Sequence, residues 1–368
     1  MKVLFITQYG YLAASSRTRV FQFLPYLRNA QIHYRVITVL PDRGIAGSQI
    51  QVTRHQWRKL IYYLWALWRT IGCGLQAWGV GRNFEVLFIQ KVIFPAPIRW
   101  LLRLLPAVIV FDFDDAIFTS EVRQASWLAR WKKRRNSAGL PAMLRLAGCA
   151  LVENEYTATF AARYCAQVEV ITGPIDTERY TAKQVERDNN KAEIVLGWIG
   201  SATTLPYLEL IRDPLERLGR RCTHVRLQVI GAEYIDWSGI RVDAKAWNLA
   251  EEVEDLEGFD IGLMPIPDDP WTRGKGGYKL LQYMAMGLPV VTSPVGINRE
   301  IVENGKSGYW ACESQQWEAC LGRLIDDEGL RRRMGQHGRS VVETRYALDV
   351  QAQRLVDLLH GLKNKVEG

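Results

Sequence analysis

The stretch Arg273-Gly-Lys275-Gly-Gly277-Tyr-Lys279-Leu-Leu-Gln282-Tyr-Met-Ala-Met-Gly287-Leu-Pro-Val-Val-Thr292-Ser-Pro-Val-Gly296 decides the fold of this chain. A cationic, glycine-rich segment (Arg273, Gly274, Lys275, Gly276, Gly277) enters an apolar helical run from Tyr278 to Met286. Gly287 ends that run, and a β-rich run from Leu288 to Thr292 follows. Glycines let backbone N–H groups approach a ligand, a helix N-terminus favours negative charge, and Lys275 and Lys279 add full positive charges. A phosphate or diphosphate suits that combination. The other reading is a surface loop capping an ordinary helix, which a Gly-Lys-Gly-Gly run alone would favour. The tail argues for the ligand: Leu288 to Val291 reads as a buried parallel strand, and Ser293-Pro-Val-Gly296 follows at its carboxyl end, where open α/β sheets bind ligands.

The same stretch resembles the C-terminal donor-binding segment of family 4 (glycosyl transferases group 1), retaining GT-B glycosyltransferases with a Glu-x7-Glu motif followed by Ala-Met-Ala-x-Gly-x-Pro-Val-Val. Met284, Ala285, Gly287, Pro289, Val290 and Val291 match it, whereas the two acids fall on Gly274 and Gln282. The resemblance implies an α/β fold of two Rossmann-like domains facing each other across a cleft, with a nucleotide-sugar bound mainly by the second. In the family the second acid bonds the ribose and the first touches the donor sugar. The Gln282 amide can still bond a ribose hydroxyl; Gly274 has no side chain with which to replace a carboxylate.

The chain has 368 residues, enough for two domains with substantial cores, and its 48% hydrophobic and 23% charged content is ordinary for a globular enzyme. Residues 1 to 172 carry 22 Lys+Arg against 9 Asp+Glu, and the remainder 25 against 30. The N-terminal half therefore faces something anionic: nucleic acid, an anionic membrane or a polyprenyl-phosphate acceptor. The six cysteines form no C-x-x-C pair and fit neither a zinc site nor a disulfide framework, so a reducing cytoplasm is expected. Met1 to Thr7 is too short an apolar run for a signal peptide and reads as a first strand ending near Gly10. No stretch approaches the roughly 20 uncharged residues that span a bilayer. A soluble or peripheral protein is expected.

Taken in order, the first strand leads into a loop with Ser15 or Ser16 as helix N-cap, which would put Arg17 and Arg19 in the first turn as acceptor or phosphate ligands, or else in structural ion pairs. Residues 54–69 hold four cations, no acid, and Trp57, Leu60, Ile61, Leu64 and Trp68 at helical spacing. That pattern suits a membrane headgroup layer, or a helix packed on the sheet edge. The strand from Ala107 to Phe111 ends in Asp112-Phe-Asp114-Asp115, and three carboxylates there can be a base, a metal site or a capped turn. Residues 127–135 add five cations and two tryptophans, a pattern shared by RNA-binding surfaces, anionic-lipid sites and solvated helices. No RNA-binding motif accompanies it, and no nucleic acid is expected.

The domain boundaries expected are 1–175 for an acceptor-binding domain, 176–192 for a linker, 193–350 for the nucleotide-sugar domain, and 351–368 for a helix crossing back. In the second domain Gly200, Ser201, Thr203 and Thr204 follow a buried strand and make another phosphate-suited helix start. By resemblance an arginine and a lysine belong near this glycine; neither is present, so Lys275 and Lys279 are expected to supply that charge. Donor contacts are thus assigned to Gly200, Ser201, Thr203, Arg273, Gly276, Gly277 and Gln282, and leaving-group stabilisation to Lys275 and Lys279. Asp112 or Asp115 would orient or deprotonate the acceptor hydroxyl. The expected function is transfer of a sugar from a nucleotide-sugar to a glycan or lipid-linked acceptor, with retention implied by resemblance alone. No metal and no cofactor beyond the donor is expected. The alternatives are a nucleotide-sugar 2-epimerase of the same fold and a non-catalytic nucleotide-sugar or glycan-binding subunit.

Overall fold

A computed structural model describes residues 1–42, 56–119, 127–181 and 193–367, with the side chains of 56, 127–135 and 364–367 outside the description. Residues 182–192, most of the expected linker, lie outside it. The chain divides into two compact units. The first comprises Met1–Pro174, Gly274–Gly276 and Leu348–Gly368, and the second comprises Ile175–Arg273 and Gly277–Ala347.

The first unit is built on six parallel strands in the order β2-β1-β3-β4-β5-β6. These are β1 Lys2–Tyr9, β2 His33–Leu40, β3 Val86–Gln90, β4 Val108–Phe113, β5 Cys149–Val152 and β6 Val168–Val170. Neighbours pair in register, as Phe88 with Val110 and Asp112 with Leu151. The sheet is covered on both faces, which is why its central strands read as continuous apolar runs. Leu4 and Ile6 join the core beneath the helices Gln56–Gly81 and Ala96–Arg103, while Val3 and Phe5 join the opposite core with Val20, Phe23 and the C-terminal helix residues Leu355 and Leu359. That alternation is the period of two of a strand buried on both sides.

The second unit repeats the plan with β7 Ile194–Ile199, β8 Val225–Ile230, β9 Arg241–Lys245, β10 Ile261–Met264, β11 Val290–Thr292 and β12 Gly308–Trp310, in the order β12-β11-β10-β7-β8-β9. Val195 and Val290 enter one core, and Leu196, Trp198 and Val291 the other. Gly277 precedes the helix Tyr278–Ala285 at φ +68°, and Gly287 follows it at φ +69°, both in the left-handed region that glycine enters at low cost. Leu288 N–H donates to Tyr283 O at 3.0 Å, which closes the helix before β11.

Candidate functional site

In the second unit the end of β7 and the start of helix Tyr278–Ala285 bring three sequence-predicted features together. Lys279 Nζ lies 4.1 Å from the centroid of the Trp198 ring and 3.4 Å from Thr204 Oγ1. A methyl group at Gly200 would meet the Trp198 ring at 2.2 Å and that ammonium at 2.7 Å, so the glycine leaves room for both at the strand end. Ser201 N–H is not open to a ligand, as the sequence suggests, but donates to Thr204 Oγ1 at 3.2 Å. The Ser201 and Thr203 hydroxyls bond each other at 2.8 Å. The segment behind them, Leu205–Ile211, is a 3-10 helix, into which Thr204 leads without a side-chain cap.

Two other expected donor contacts are engaged elsewhere. Gln282 is 4% exposed and donates through Nε2 to Tyr180 Oη at 3.1 Å; Tyr180 in turn donates to Glu252. This buried chain of polar groups holds the amide inward instead of presenting it to a ribose. Arg273 forms a two-pronged pair with Asp268, at 2.6 and 3.1 Å, which holds that carboxyl below its ordinary range and offsets the arginine's charge.

The first unit gathers a different constellation at the carboxyl ends of β3, β4 and β5. Arg19 is fully buried, donating to Asp112 Oδ1 through Nε at 3.0 Å and through Nη2, and to Ile171 O through Nη1. Both arginines sit in the last turn of Ala14–Arg19, not the first. That is where the helix dipole favours cations. The N-cap is Ala13, because the hydroxyls of Ser15 and Ser16 instead pair with the Gln90 amide at 3.0 and 2.9 Å. Arg17 is 2% exposed and donates to Leu12 O at 3.2 Å, so it braces its own loop and does not stand open to an acceptor.

Asp112 lies inside β4, not beyond it, and is 0% exposed. Burial pushes its carboxyl up to about 6 against the pull of Arg19. It cannot meet an acceptor hydroxyl. Asp114 and Asp115 share Lys91 Nζ, at 2.6 Å each. For Asp115, Lys91 and then Lys275 outweigh the effect of burial and hold the carboxyl below its ordinary range. Gly274, Lys275 and Gly276 pack in this unit too: Gly274 abuts Ala116, Asn154 Nδ2 donates to Lys275 O at 3.0 Å, and Gly276 abuts Glu153 Oε2. The glycine-rich loop is thus set partly among carboxylates, and the charge of Lys275 adds to that of Lys91 on Asp115. A side chain at 274 would run into Ala116, a physical reason for the missing acid.

Two residues escaped the sequence reading. Lys91 takes φ +61°, rare for a side-chain-bearing residue, and its N–H donates to Asp112 O at 2.7 Å while its ammonium reaches two carboxylates. Glu153 follows β5 directly. The signal available for both was position: each closes a buried strand, at the sheet end where α/β proteins bind ligands.

Residues 54–69 fall largely within the helix Gln56–Gly81, with 54 and 55 outside the described residues. Tyr62 and Trp65 pack on the core, whereas Trp57, Leu60, Ile61, Leu64 and Trp68 stand exposed, Trp68 at 69%. Leu75 and Trp78 continue the stripe at helical spacing, and Trp100 and Leu104 expose further apolar surface on the neighbouring helix Ala96–Arg103 and its cap. No helix is long and apolar enough to cross a membrane, and no group of three or more His, Cys, Asp or Glu has metal-site geometry, among the described residues. The expected basic surface at 127–135 belongs to the helix Trp127–Leu146, but its side chains lie outside the described residues.

A parallel six-stranded sheet with its own cores in each unit defines an α/β protein of two doubly wound units. The comparisons narrow that class. Residues 270–341 match the model of the glycosyl transferases group 1 family. D-inositol 3-phosphate glycosyltransferase of Corynebacterium urealyticum is 24% identical over 230 residues, 55% of this chain and 53% of that protein, so the chain spans about half the length of this curated relative. Sucrose-phosphate synthase of Thermosynechococcus elongatus superposes with a TM-score of 0.70 at 12% identity, covering 98% of this chain and 99% of the other. Anabaena HepE in complex with UDP-glucose superposes with a TM-score of 0.65 at 14% identity, over 98% and 100%. The chain has the GT-B fold of these structures, and its residues 270–341 are similar to the group 1 glycosyltransferases.

Proposed function

We propose that the protein transfers a sugar from a nucleotide-sugar donor, held in the second unit, to a glycan or lipid-linked acceptor held by the basic first unit, with retention at the transferred carbon. The observation that carries this reading is Lys279, inside the family-matched segment, at the glycine turn that ends β7. Loss of the diphosphate is the hard step, and a fixed ammonium in a site shaped before reaction is the kind of group that stabilises the growing charge. Lys279, not a metal, is assigned that task. The HepE complex with UDP-glucose supports a uridine nucleotide as the first donor to try.

The acceptor side is read as a membrane face. The stripe from Trp57 to Trp78 spans about 30 Å at 1.5 Å per residue, and its helix carries Arg58, Lys59 and Arg69 with no acid. Exposed tryptophan and leucine with cations alone fit the headgroup layer of an anionic bilayer. The protein would act peripherally on the inner face of the cell membrane. The burial of Gln282 and the packing of Gly274 favour one second reading, a nucleotide-sugar-binding subunit without turnover. Release of nucleotide from UDP-, GDP-, ADP- and dTDP-glucose by the purified protein separates the two: slow hydrolysis of one donor supports the transferase, and binding without hydrolysis, with or without added membrane lipid, supports the subunit.

A further inference from the structure

Glu153 is 8% exposed, and its carboxyl is only loosely paired among the described residues. Its ion-pair partner among the described residues, Arg19 Nη1, is 3.7 Å away and already donates to Ile171 O, while the rest of that guanidinium faces Asp112. Lys91 is occupied by Asp114 and Asp115, and Lys275 bears on Asp115. Among the described residues no hydrogen bond reaches the Glu153 carboxyl. Its Oε2 faces bare backbone at Gly276, where any side chain would overlap it, and the Asn154 bond to Lys275 O pins that backbone in place. A carboxyl at a strand end, packed against a glycine that has no side chain to bond it, is costly unless something else satisfies it.

We propose that Glu153 is a substrate-binding residue whose carboxyl takes a hydroxyl of the acceptor in a hydrogen bond at the end of β5, beside Gly276. The assignment rests on the transferase reading and replaces Asp112 in the role the sequence suggested. Burial, opposed by Arg19 and reinforced by Asp114, Asp115 and Asp112, raises the Glu153 carboxyl well above its usual range. Burial thus favours its neutral form, which can donate its O–H to the acceptor oxygen and accept through its carbonyl oxygen. It does not take the acceptor's proton; the ionised Asp115 is the carboxylate available for that.

The test compares Glu153→Ala, Glu153→Gln and Gly276→Ala with the wild type in two assays: hydrolysis of labelled UDP-, GDP-, ADP- and dTDP-glucose, and transfer of label to a lipid extract of the source cells. Glu153→Ala should raise the acceptor KM roughly tenfold or more, about the value of one hydrogen bond, with donor hydrolysis within threefold of wild type. Gly276→Ala, whose methyl would overlap Oε2, should also raise the acceptor KM. Glu153→Gln should keep most of the transfer at pH 7 and lose the fall in rate that wild type shows as pH rises through the Glu153 pKa. The sign for stability is parallel. A raised carboxyl contributes stability fully present below its unfolded value near 4.5 and lost as pH rises through the folded value, so Glu153→Gln should gain on wild type as pH increases. Equal loss of hydrolysis and transfer in Glu153→Ala, or unchanged acceptor KM, overturns the assignment while the transferase stands. Absence of both activities in wild type removes the transferase reading itself, and this one with it.

Discussion

Replacing Lys279 with methionine keeps the stem that covers Trp198 and removes the charge. The ammonium stands 4.1 Å from the indole centroid and 3.4 Å from Thr204 Oγ1, so it is held at a defined point beside the turn after β7. A diphosphate oxygen about 4 Å from it would gain on the order of 4 kcal/mol at the effective dielectric of a protein surface. Removing one fixed donor to a developing oxyanion costs about 2.7–4 kcal/mol in measured cases. Both figures give a fall in kcat of roughly 10²–10³. Stability should change less, because the losses to the fold include a cation–π contact worth about 0.5–2 kcal/mol and a long hydrogen bond to Thr204. The assay is steady-state release of nucleotide from the donor, with thermal unfolding run on the same preparation. A fall in kcat under tenfold would refute the role given to Lys279, and a fall accompanied by gross loss of fold would leave the charge argument without support.

Other outcomes follow from the same geometry. Gly200→Ala should displace Lys279 Nζ and lower donor affinity about tenfold, and in a double-mutant cycle with Lys279→Met the two losses should not add; additive losses would separate the two residues. Gly197→Ala would drive a methyl into the Phe259 ring within the second unit's core, so overpacking should cost about 1–3 kcal/mol, read as a lowered unfolding midpoint; a midpoint equal to wild type would contradict the packing. Changing Trp57, Ile61, Leu64 and Trp68 to serine should abolish cosedimentation with vesicles containing phosphatidylglycerol and leave donor hydrolysis intact. Retained sedimentation would return the stripe to another partner.

Much of this was readable in the residues, for physical reasons. The central strands β1, β3, β4, β7 and β10 are buried on both faces and announce themselves as apolar runs; Gly287 marks the end of its helix because the next turn needs positive φ. The edge strands of the second unit were not readable. β9 alternates exposed Arg241, Asp243 and Lys245 with half-buried Val242 and Ala244, and β12 has three residues, so neither has a run to detect. The direction of the helix Gln56–Gly81 was likewise undecidable from pattern alone. Trp57 and Trp65 are equally apolar, and only packing shows that Trp65 turns to the core while Trp57 faces out. At the site, chemistry was legible and partnership was not. Asp112 carries the right group, but Arg19, 93 residues away in sequence, takes it into the interior, and Gln282 is drawn inward by Tyr180, 102 residues away.

The central claim is that the second unit binds a nucleotide-sugar through Lys279. Its most direct test is the thermal unfolding midpoint of wild type and Lys279→Met with UDP, GDP, ADP and dTDP and their glucose conjugates. Binding to the folded state adds about 2.7 kcal/mol at a hundredfold excess over Kd. The account predicts a rise of several degrees with one nucleotide, a larger rise with its sugar, and a smaller response in Lys279→Met. A wild type indifferent to every nucleotide, or a variant that responds as wild type does, would contradict it.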